Sequence, residues 1–284
     1  MNIYEQISAF YESYRGIKEI YGTSEEGRNL YAFFTGEAHA PLGICQYAIH
    51  AREWITARLA LEQLAAGVPR GGVWFIPLAN PDGALLCTEG IGSVRTQWRK
   101  QFLLRMNGGE DFSLWKANAD AVDLNVNFDA RWGTGKSNRT KPASANYIGM
   151  RPFSAKESRA LKDFTYRVCP QFTVSYHTKG EEIYWRFHQP FFRAARDKRL
   201  AKRLSESTGY PLREAPFSAG GYKDWCVEKL KIPAFTLEAG ADECSHLLGE
   251  EALSQILAHN LYAIRYDENS VKVFAKGFCV ICIR

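Results

Sequence analysis

The chain of 284 residues lacks the long apolar run that marks a membrane protein. No stretch approaches the roughly 20 apolar residues that a helix needs to cross a bilayer. The N-terminal sequence MNIYEQISAFYESYRG lacks the basic start and the apolar centre of a secretory signal. We therefore expect a soluble, cytoplasmic protein with no membrane partner.

A regular cysteine spacing is also lacking. The chain has seven cysteines, an odd number without the spacing of a disulfide framework. Together with the missing export signal, this predicts reduced thiols. Cys279 and Cys282 form a C-x-x-C pair, but they lie in the apolar run FCVICI, which favours packing over a redox or metal role.

An excess of charge of one sign is also lacking, because the net charge is only +5. The densest basic segment, 191–204, has the pattern of an amphipathic helix with a solvated face. Its predicted apolar face comprises Phe191, Ala194, Ala195, Leu200 and Leu204. No nucleic-acid-binding motif accompanies it, so no nucleic-acid partner is expected, whereas a mild positive field would suit an anionic substrate.

Short β-rich runs alternate with longer helical patterns, which indicates helical layers around a mostly parallel or mixed sheet. The predicted strands are Leu30–Phe34, Gly43–Ile49, Val73–Leu78, Gln171–Tyr176, Ile183–Phe187 and Pro233–Leu237. The predicted helices are Ile3–Tyr14, Glu53–Ala66, Ser154–Val168, Pro190–Ser207, Gly221–Lys229 and Glu250–Tyr266. Ser154 and Glu157 form a capping-box pattern. No linker or repeat divides the chain, so we expect one catalytic domain over 1–284, with a long irregular and functional region at 79–152.

Three unrelated strands end in residues suited to metal chemistry. His50 follows GICQYAI, His177 follows FTVSY, and Glu238 follows AFTL. Ligands of open α/β sheets bind beyond the carboxyl ends of the strands. We therefore expect these side chains to converge.

The spacing His50-x-x-Glu53 offers an imidazole and a carboxylate three residues apart. On its own this pattern is weak, but His177 would complete a set of three ligands and leave a fourth position for water. Two nitrogens and one oxygen suit a single Zn²⁺ ion better than magnesium or calcium. Glu238 is the candidate base for the water that zinc activates.

Six motifs occur in an order that resembles the zinc carboxypeptidase family typified by carboxypeptidase A. They are HAREW (50–54), NPDG (80–83), WRK (98–100), DLNVNFD (123–129), SYH (175–177) and FTLE (235–238). The resemblance implies an α/β class fold, a three-layer α/β/α sandwich with an eight-stranded mixed sheet. It also implies zinc at His50, Glu53 and His177, with Glu238 as the catalytic carboxylate.

The resemblance implies further roles around this centre. Arg99, in WRK, would lie beside the oxyanion that develops on the substrate, where a fixed cation stabilises the transition state. Asp123 would accept a hydrogen bond from the first zinc-bound histidine and fix its tautomer. Arg52 and Asn125 match substrate-binding positions.

The sequence departs from the family pattern at two positions. The family reads N-R-N where this chain has Asn125-Val126-Asn127, and valine cannot pair with the C-terminal carboxylate of a peptide as arginine does. Pro216 stands where the family has a substrate-capping tyrosine. Both departures speak against removal of ordinary C-terminal residues.

Two segments, SYHTKGEEIYW (175–185) and GGYKDW (220–225), resemble the bacterial γ-D-glutamyl-L-diamino acid peptidase branch of the family. That branch cuts murein peptides between γ-D-glutamate and meso-diaminopimelate. Lys223 matches the position that sets specificity for the leaving residue and could pair with a diaminopimelate carboxylate. Arg131 and Lys136 are further candidates for substrate carboxylates.

Other functions stay open at this point. A metallocarboxypeptidase for acidic C-terminal residues is the main alternative, with Lys223 as its selectivity residue. Related deacylases of N-acyl amino acids fit less well, because their short forms lack a region like 79–152. A catalytically inactive, peptide-binding relative is disfavoured by the complete set of zinc, base and arginine residues.

Overall fold

A mixed β-sheet forms the centre of the fold. The structure is a computed structural model that describes residues 1–37, 42–67, 71–215, 217–243 and 245–264. Within these ranges the strands are β1 (Lys18–Thr23), β2 (Asn29–Gly36), β3 (Leu42–Tyr47), β4 (Gly72–Ile76), β5 (Phe172–His177), β6 (Glu182–Tyr184), β7 (Leu212–Arg213) and β8 (Ala234–Glu238). Their spatial order is β1-β2-β4-β3-β5-β8-β6-β7.

Eight α-helices surround the sheet in the described part of the chain. They are α1 (Ile3–Ser13), α2 (Ile55–Ala66), α3 (Pro81–Glu89), α4 (Gln97–Asn107), α5 (Lys156–Val168), α6 (Phe191–Thr208), α7 (Tyr222–Trp225) and α8 (Leu253–Asn260). A π-helical turn, Cys226–Leu230, extends α7. None of the described helices combines the length and the apolar character needed to cross a bilayer.

The four middle strands, β4-β3-β5-β8, run parallel, whereas β1, β2 and β6 join the sheet by antiparallel pairing. The parallel strands are buried on both faces, which explains their continuous apolar sequences. Along β3, for example, Ile44 belongs to one hydrophobic cluster, whereas Cys45 and Tyr47 belong to the other.

The two clusters define the two helical layers. Side chains of α1, α2, α6 and α8 contribute to one cluster, through residues such as Leu59 and Ile256. Helices α5 and α7 contribute to the other, through residues such as Phe164 and Trp225. Because a sheet with two apolar faces must be covered on both, the result is the predicted three-layer α/β/α sandwich.

The region 79–152 is less irregular than predicted, because it contains α3 and α4. Helix α3 begins at Pro81 behind the N-cap Asn80, whose side chain accepts a hydrogen bond from the Gly83 amide. A third hydrophobic cluster, which includes Leu103 and Trp115, packs this region beside Ala51, next to the first predicted zinc ligand. Part of the region thus forms a separate small core, whereas other residues of it, such as Phe128, pack in the second cluster.

Three other predictions are wrong. Ser154 does not cap α5, because the N-cap is Ala155 and the Ser154 hydroxyl accepts a hydrogen bond from Asn127 instead. Phe191 is 89% exposed and not on the apolar face of α6. Cys169 is disulfide-bonded, whereas Cys45, Cys87 and Cys226 are free, so the thiols are only partly reduced. Pro216 and the Cys279/Cys282 pair lie outside the described residues.

Candidate active site

The candidate site lies where the central parallel strands end. His177 and Glu238 are the last residues of the neighbouring strands β5 and β8 and are paired in register. His50 follows three residues after β3, and a 3-10 turn from Ala51 to Glu53 returns the chain toward it. The sheet topology therefore brings together residues that are 127 positions apart, as His50 and His177 are.

His50, Glu53 and His177 form a tight, buried cluster. One carboxylate oxygen of Glu53 lies 2.8 Å from Nδ1 of His50, and the other lies 2.8 Å from Nδ1 of His177. The two Nδ1 atoms are 3.1 Å apart. Burial opposes ionisation of Glu53, but the two histidines outweigh it and hold its pKa well below the usual range.

The donor set of this cluster fits a metal ion. The other ring nitrogen of His50, Nε2, lies 3.4 Å from an oxygen of Asp123, so this carboxylate favours the proton on Nε2. The Nδ1 lone pair of His50 then points at a carboxylate oxygen, which is repulsive unless a cation lies between them. The three donors lie within 4.8 Å of one another, and two nitrogens with one oxygen are typical zinc ligands.

Asp123 lies behind His50 and is fully buried. Its carboxylate accepts hydrogen bonds from the backbone amides of Asn125 and Asn146, and its second oxygen lies 3.3 Å from Nζ of Lys116. Burial alone would raise the pKa of Asp123, but Lys116 and His50 outweigh burial and hold it well below the usual range. The ionised carboxylate can therefore orient the imidazole of His50.

Glu238 is half-buried and faces a cavity of about 330 Å³. Burial raises the pKa of its carboxyl to about 7, with His177 acting in the opposite direction and Glu53 adding to the increase. A carboxylate with a pKa near neutrality can both accept and return a proton at physiological pH. The geometry and the pKa of Glu238 suit the predicted base.

A buried ion pair, Lys223–Asp224, lines the same cavity as His50. Nζ of Lys223 lies 2.6 Å from an oxygen of Asp224 and donates a hydrogen bond to the carbonyl of Arg186. The other Asp224 oxygen accepts a hydrogen bond from Ser218. An ammonium group has three donors, so Lys223 retains one for a ligand.

Asn125, Val126 and Lys136 also line the cavity. The side-chain oxygen of Asn125 accepts a hydrogen bond from the Tyr222 amide, which fixes the orientation of its amide group. Val126, which replaces the arginine of the family's sequence pattern, carries no charge and lies in the cavity wall. The structure thus brings Asn125 and Lys223 into one cavity with His50 and Glu238.

Three predicted site arginines are not among the described residues that line this cavity. Arg99 forms ion pairs with Glu26 and Asp120, and Arg131 is exposed and contacts Glu228 at 3.5 Å. The Nε atom of Arg52 is buried and has no hydrogen-bond partner among the described residues. Their roles in binding or catalysis stay predictions.

Several cavity residues were not predicted from the sequence. Lys116, Tyr184, Thr236 and Asp224 all line the cavity. Thr236 could have been predicted, because it lies two residues before Glu238 and therefore on the same face of β8 as Glu238. Lys116 lies in an irregular segment, where no periodicity indicates direction.

The fold is of the α/β class, and the site combines three possible metal ligands with a nearby carboxyl group at the strand ends. The family model described as zinc carboxypeptidase matches residues 3–263, and the chain belongs to this family.

Among curated relatives, gamma-D-glutamyl-L-diamino acid endopeptidase 1 of Lysinibacillus sphaericus is 29% identical over 213 residues, which cover 68% of this chain. The chain spans only 53% of that relative's length.

Solved structures share the fold. Bovine thrombin-activatable fibrinolysis inhibitor, in complex with tick carboxypeptidase inhibitor, has a TM-score of 0.73 at 19% identity and covers 97% of this chain and 96% of its own. Murein-tripeptide amidase MpaA of Escherichia coli O157 has a TM-score of 0.59 at 21% identity, with 95% of this chain and 96% of that chain covered. At these identities the similarity establishes the fold alone.

Proposed function

We propose that this chain is a zinc-dependent peptidase of murein-derived peptides that hydrolyses the bond between γ-D-glutamate and meso-diaminopimelate. The observation that carries the chemistry is the convergence of His50, Glu53 and His177 at a strand end beside Glu238. Family membership supports zinc as the ion. The three side chains would hold one Zn²⁺.

A zinc ion held there would lower the pKa of a water to about 7 and act as a Lewis acid toward the scissile carbonyl. Glu238 would take a proton from this water and return it to the leaving amine, for which its pKa of about 7 is suited. Asp123 would keep the proton of His50 on Nε2.

Two features of the cavity support a murein peptide. Val126 offers no cation for the C-terminal carboxylate that ordinary carboxypeptidases bind. The Lys223–Asp224 pair is neutral overall, so a ligand that carries both charges matches it better than a lone carboxylate. The far end of diaminopimelate carries an ammonium and a carboxylate. The Lysinibacillus sphaericus relative is named as a gamma-D-glutamyl-L-diamino acid endopeptidase, which is the same substrate class.

The alternative is a carboxypeptidase that removes acidic C-terminal residues. The observation that favours it is the remaining donor on Lys223, which could bind a single side-chain carboxylate. In that case the ordinary peptide carboxylate would need another partner, and Lys136 is a candidate in the cavity wall.

The catalytic proposal is tested by Glu238→Gln. This variant should bind zinc as the unchanged chain does and lose turnover by several orders of magnitude, because an amide cannot accept the proton of water. Zinc content is measured by elemental analysis, and turnover is measured with L-Ala-γ-D-Glu-meso-diaminopimelate. Normal hydrolysis by this variant would show that another group acts as the base.

Substrate choice is tested with four peptides that differ at the leaving residue. The set contains γ-D-Glu linked to meso-diaminopimelate, to lysine or to α-aminopimelate, and an ordinary peptide that ends in L-Glu. We expect the diaminopimelate peptide to give the highest kcat/KM. Lys223→Met should reduce the preference for diaminopimelate over lysine. Asp224→Asn should reduce the preference for diaminopimelate over α-aminopimelate. Faster cleavage of the L-Glu peptide would support the alternative instead.

A further inference from the structure

Lys116 occupies a position beside the candidate zinc site that the predicted mechanism does not use. It lines the same cavity as His50 and Glu238. Its side chain is 19% exposed, so the ammonium is shielded from bulk water but accessible to a ligand in the cavity.

The backbone holds Lys116 firmly in this place. Its carbonyl accepts a hydrogen bond from the amide of Ala51, the residue after His50, and its amide donates to the Ser144 carbonyl. Its ammonium lies 3.3 Å from Asp123. A loop residue with both backbone groups bonded next to the first zinc ligand is positioned well enough to serve chemistry.

Both terminal nitrogens of Arg99, by contrast, are paired with carboxylates outside the cavity lining. One terminal nitrogen of its guanidinium lies 2.5 Å from Glu26 and the other lies 2.7 Å from Asp120. Arg99 is 9% exposed and is not among the described residues that line the cavity. To reach a substrate carbonyl it would have to break two charge-assisted contacts.

We propose that Lys116, and not Arg99, is the catalytic residue whose positive charge stabilises the oxygen of the scissile carbonyl as negative charge develops on it. The assignment rests on the proposed hydrolysis at Glu238 but not on the identity of the peptide. Lys116 has three donors, and its contact with Asp123 leaves donors for this oxygen.

A different role for Lys116 would be to neutralise Asp123 and so support zinc binding. The two roles predict different kinetics. A transition-state contact changes kcat and leaves KM and zinc affinity nearly constant, whereas a supporting role weakens zinc binding.

The test compares Lys116→Met, Lys116→Arg and Arg99→Met with the unchanged chain, all fully loaded with zinc. Lys116→Met should lower kcat by about 10²- to 10³-fold with little change in KM, as removal of one oxyanion donor does. Lys116→Arg should recover part of kcat, because it keeps the charge. Lys202→Met, an exposed lysine of α6, is the matched control.

A second readout does not depend on turnover. A phosphinate analogue of γ-D-Glu–diaminopimelate mimics the tetrahedral state, and calorimetry should show it bound about 10²-fold more weakly by Lys116→Met. Normal kcat in Lys116→Met, loss of kcat only through loss of zinc, or loss of kcat in Arg99→Met alone would overturn the assignment. If the unchanged chain cleaves only the peptide that ends in L-Glu, and Lys116→Met lowers kcat on that peptide, the substrate proposal fails and the assignment stands.

Discussion

Asp123 contacts two groups beside the candidate metal site, the imidazole of His50 and the ammonium of Lys116. Because its carboxylate fixes the tautomer of His50, Asp123→Asn should weaken zinc binding. Loss of such a supporting carboxylate typically lowers metal affinity about 10- to 100-fold. Competition with a chromogenic zinc chelator measures the change.

Asp129→Asn is the control for this substitution, since Asp129 is exposed and lies 3.4 Å from the exposed Lys229. It should bind zinc as the unchanged chain does. Equal zinc affinity in Asp123→Asn would mean that His50 is oriented without this carboxylate.

At the scale of single residues, the sequence predicted those groups whose positions follow from strand ends. His50, His177 and Glu238 lie at or just beyond the carboxyl ends of parallel strands, and register alone brings His177 and Glu238 together. Lys116 could not be found in this way, because its direction depends on backbone bonds to Ala51 and Ser144. The site role of Arg99 was predicted from the order of the motifs. This order does not reveal that its side chain forms ion pairs with Glu26 and Asp120.

At the scale of elements, the loop before α7 is held against the segment that carries Asn125 and Val126. Gly220 has a φ of +80°, and a Cβ there would lie 2.7 Å from the Val126 carbonyl oxygen. Gly220→Ala should therefore destabilise the fold by more than about 1 kcal/mol and lower kcat/KM by displacing the cavity wall. Thermal unfolding and kinetics measure the two effects.

Gly90→Ala is a matched control for this clash. Gly90 also has a positive φ, +69°, but a Cβ there would meet nothing within 4 Å. A positive φ disfavours alanine at both positions, but only Gly220→Ala adds the steric contact, so a larger loss of stability in Gly220→Ala reports the contact with Val126. Equal losses of stability would mean that strain alone explains Gly220.

Helix α5 is joined to neighbouring loops through the buried carboxyl of Glu157. This side chain accepts hydrogen bonds from the Glu25 amide and from Asn118. Burial, with Asp82 and Glu25 adding to it, raises the pKa of Glu157 from 4.5 to about 8. Between these pH values only the folded state keeps the proton, so the contribution of Glu157 to stability falls as pH rises.

Glu157→Gln should flatten this dependence, since an amide does not titrate. The free energy of unfolding, measured with urea from pH 5 to pH 8.5, should fall less steeply in the variant. Glu206→Gln, on an exposed part of α6, should keep the slope of the unchanged chain. An identical slope in Glu157→Gln would contradict the raised pKa.

Elements were predictable where burial imposed a pattern. The apolar strands β3, β5 and β8 were found within two residues of their bounds, because they are covered on both faces. The strands β1 and β7 were missed, since both lie at the edges of the sheet and show little apolar patterning. Helix α3 was missed although Asn80 and Pro81 form a helix-start signal, because Gly83 and Asp82 next to them also suggest a turn.

At the scale of the whole molecule, the candidate metal site joins separate parts of the fold. His50 and Glu53 lie between β3 and α2, and His177 ends β5. Because the unfolded chain cannot bring these residues together, zinc bound to them stabilises the folded state alone. At a free zinc concentration about 1,000 times Kd, this linkage is worth about 4 kcal/mol.

Removal of zinc should therefore lower the melting temperature of the unchanged chain on the order of 10 °C, given the usual change in Tm per kcal/mol for a domain of this size. In His177→Ala, chelator should shift the melting temperature far less, because one of three ligands is gone. His259→Ala, which removes a histidine of α8 bonded to the Thr208 carbonyl, should keep the full zinc-dependent shift. Differential scanning fluorimetry with and without chelator measures all three. A large shift that persists in His177→Ala would place the stabilising zinc at another site.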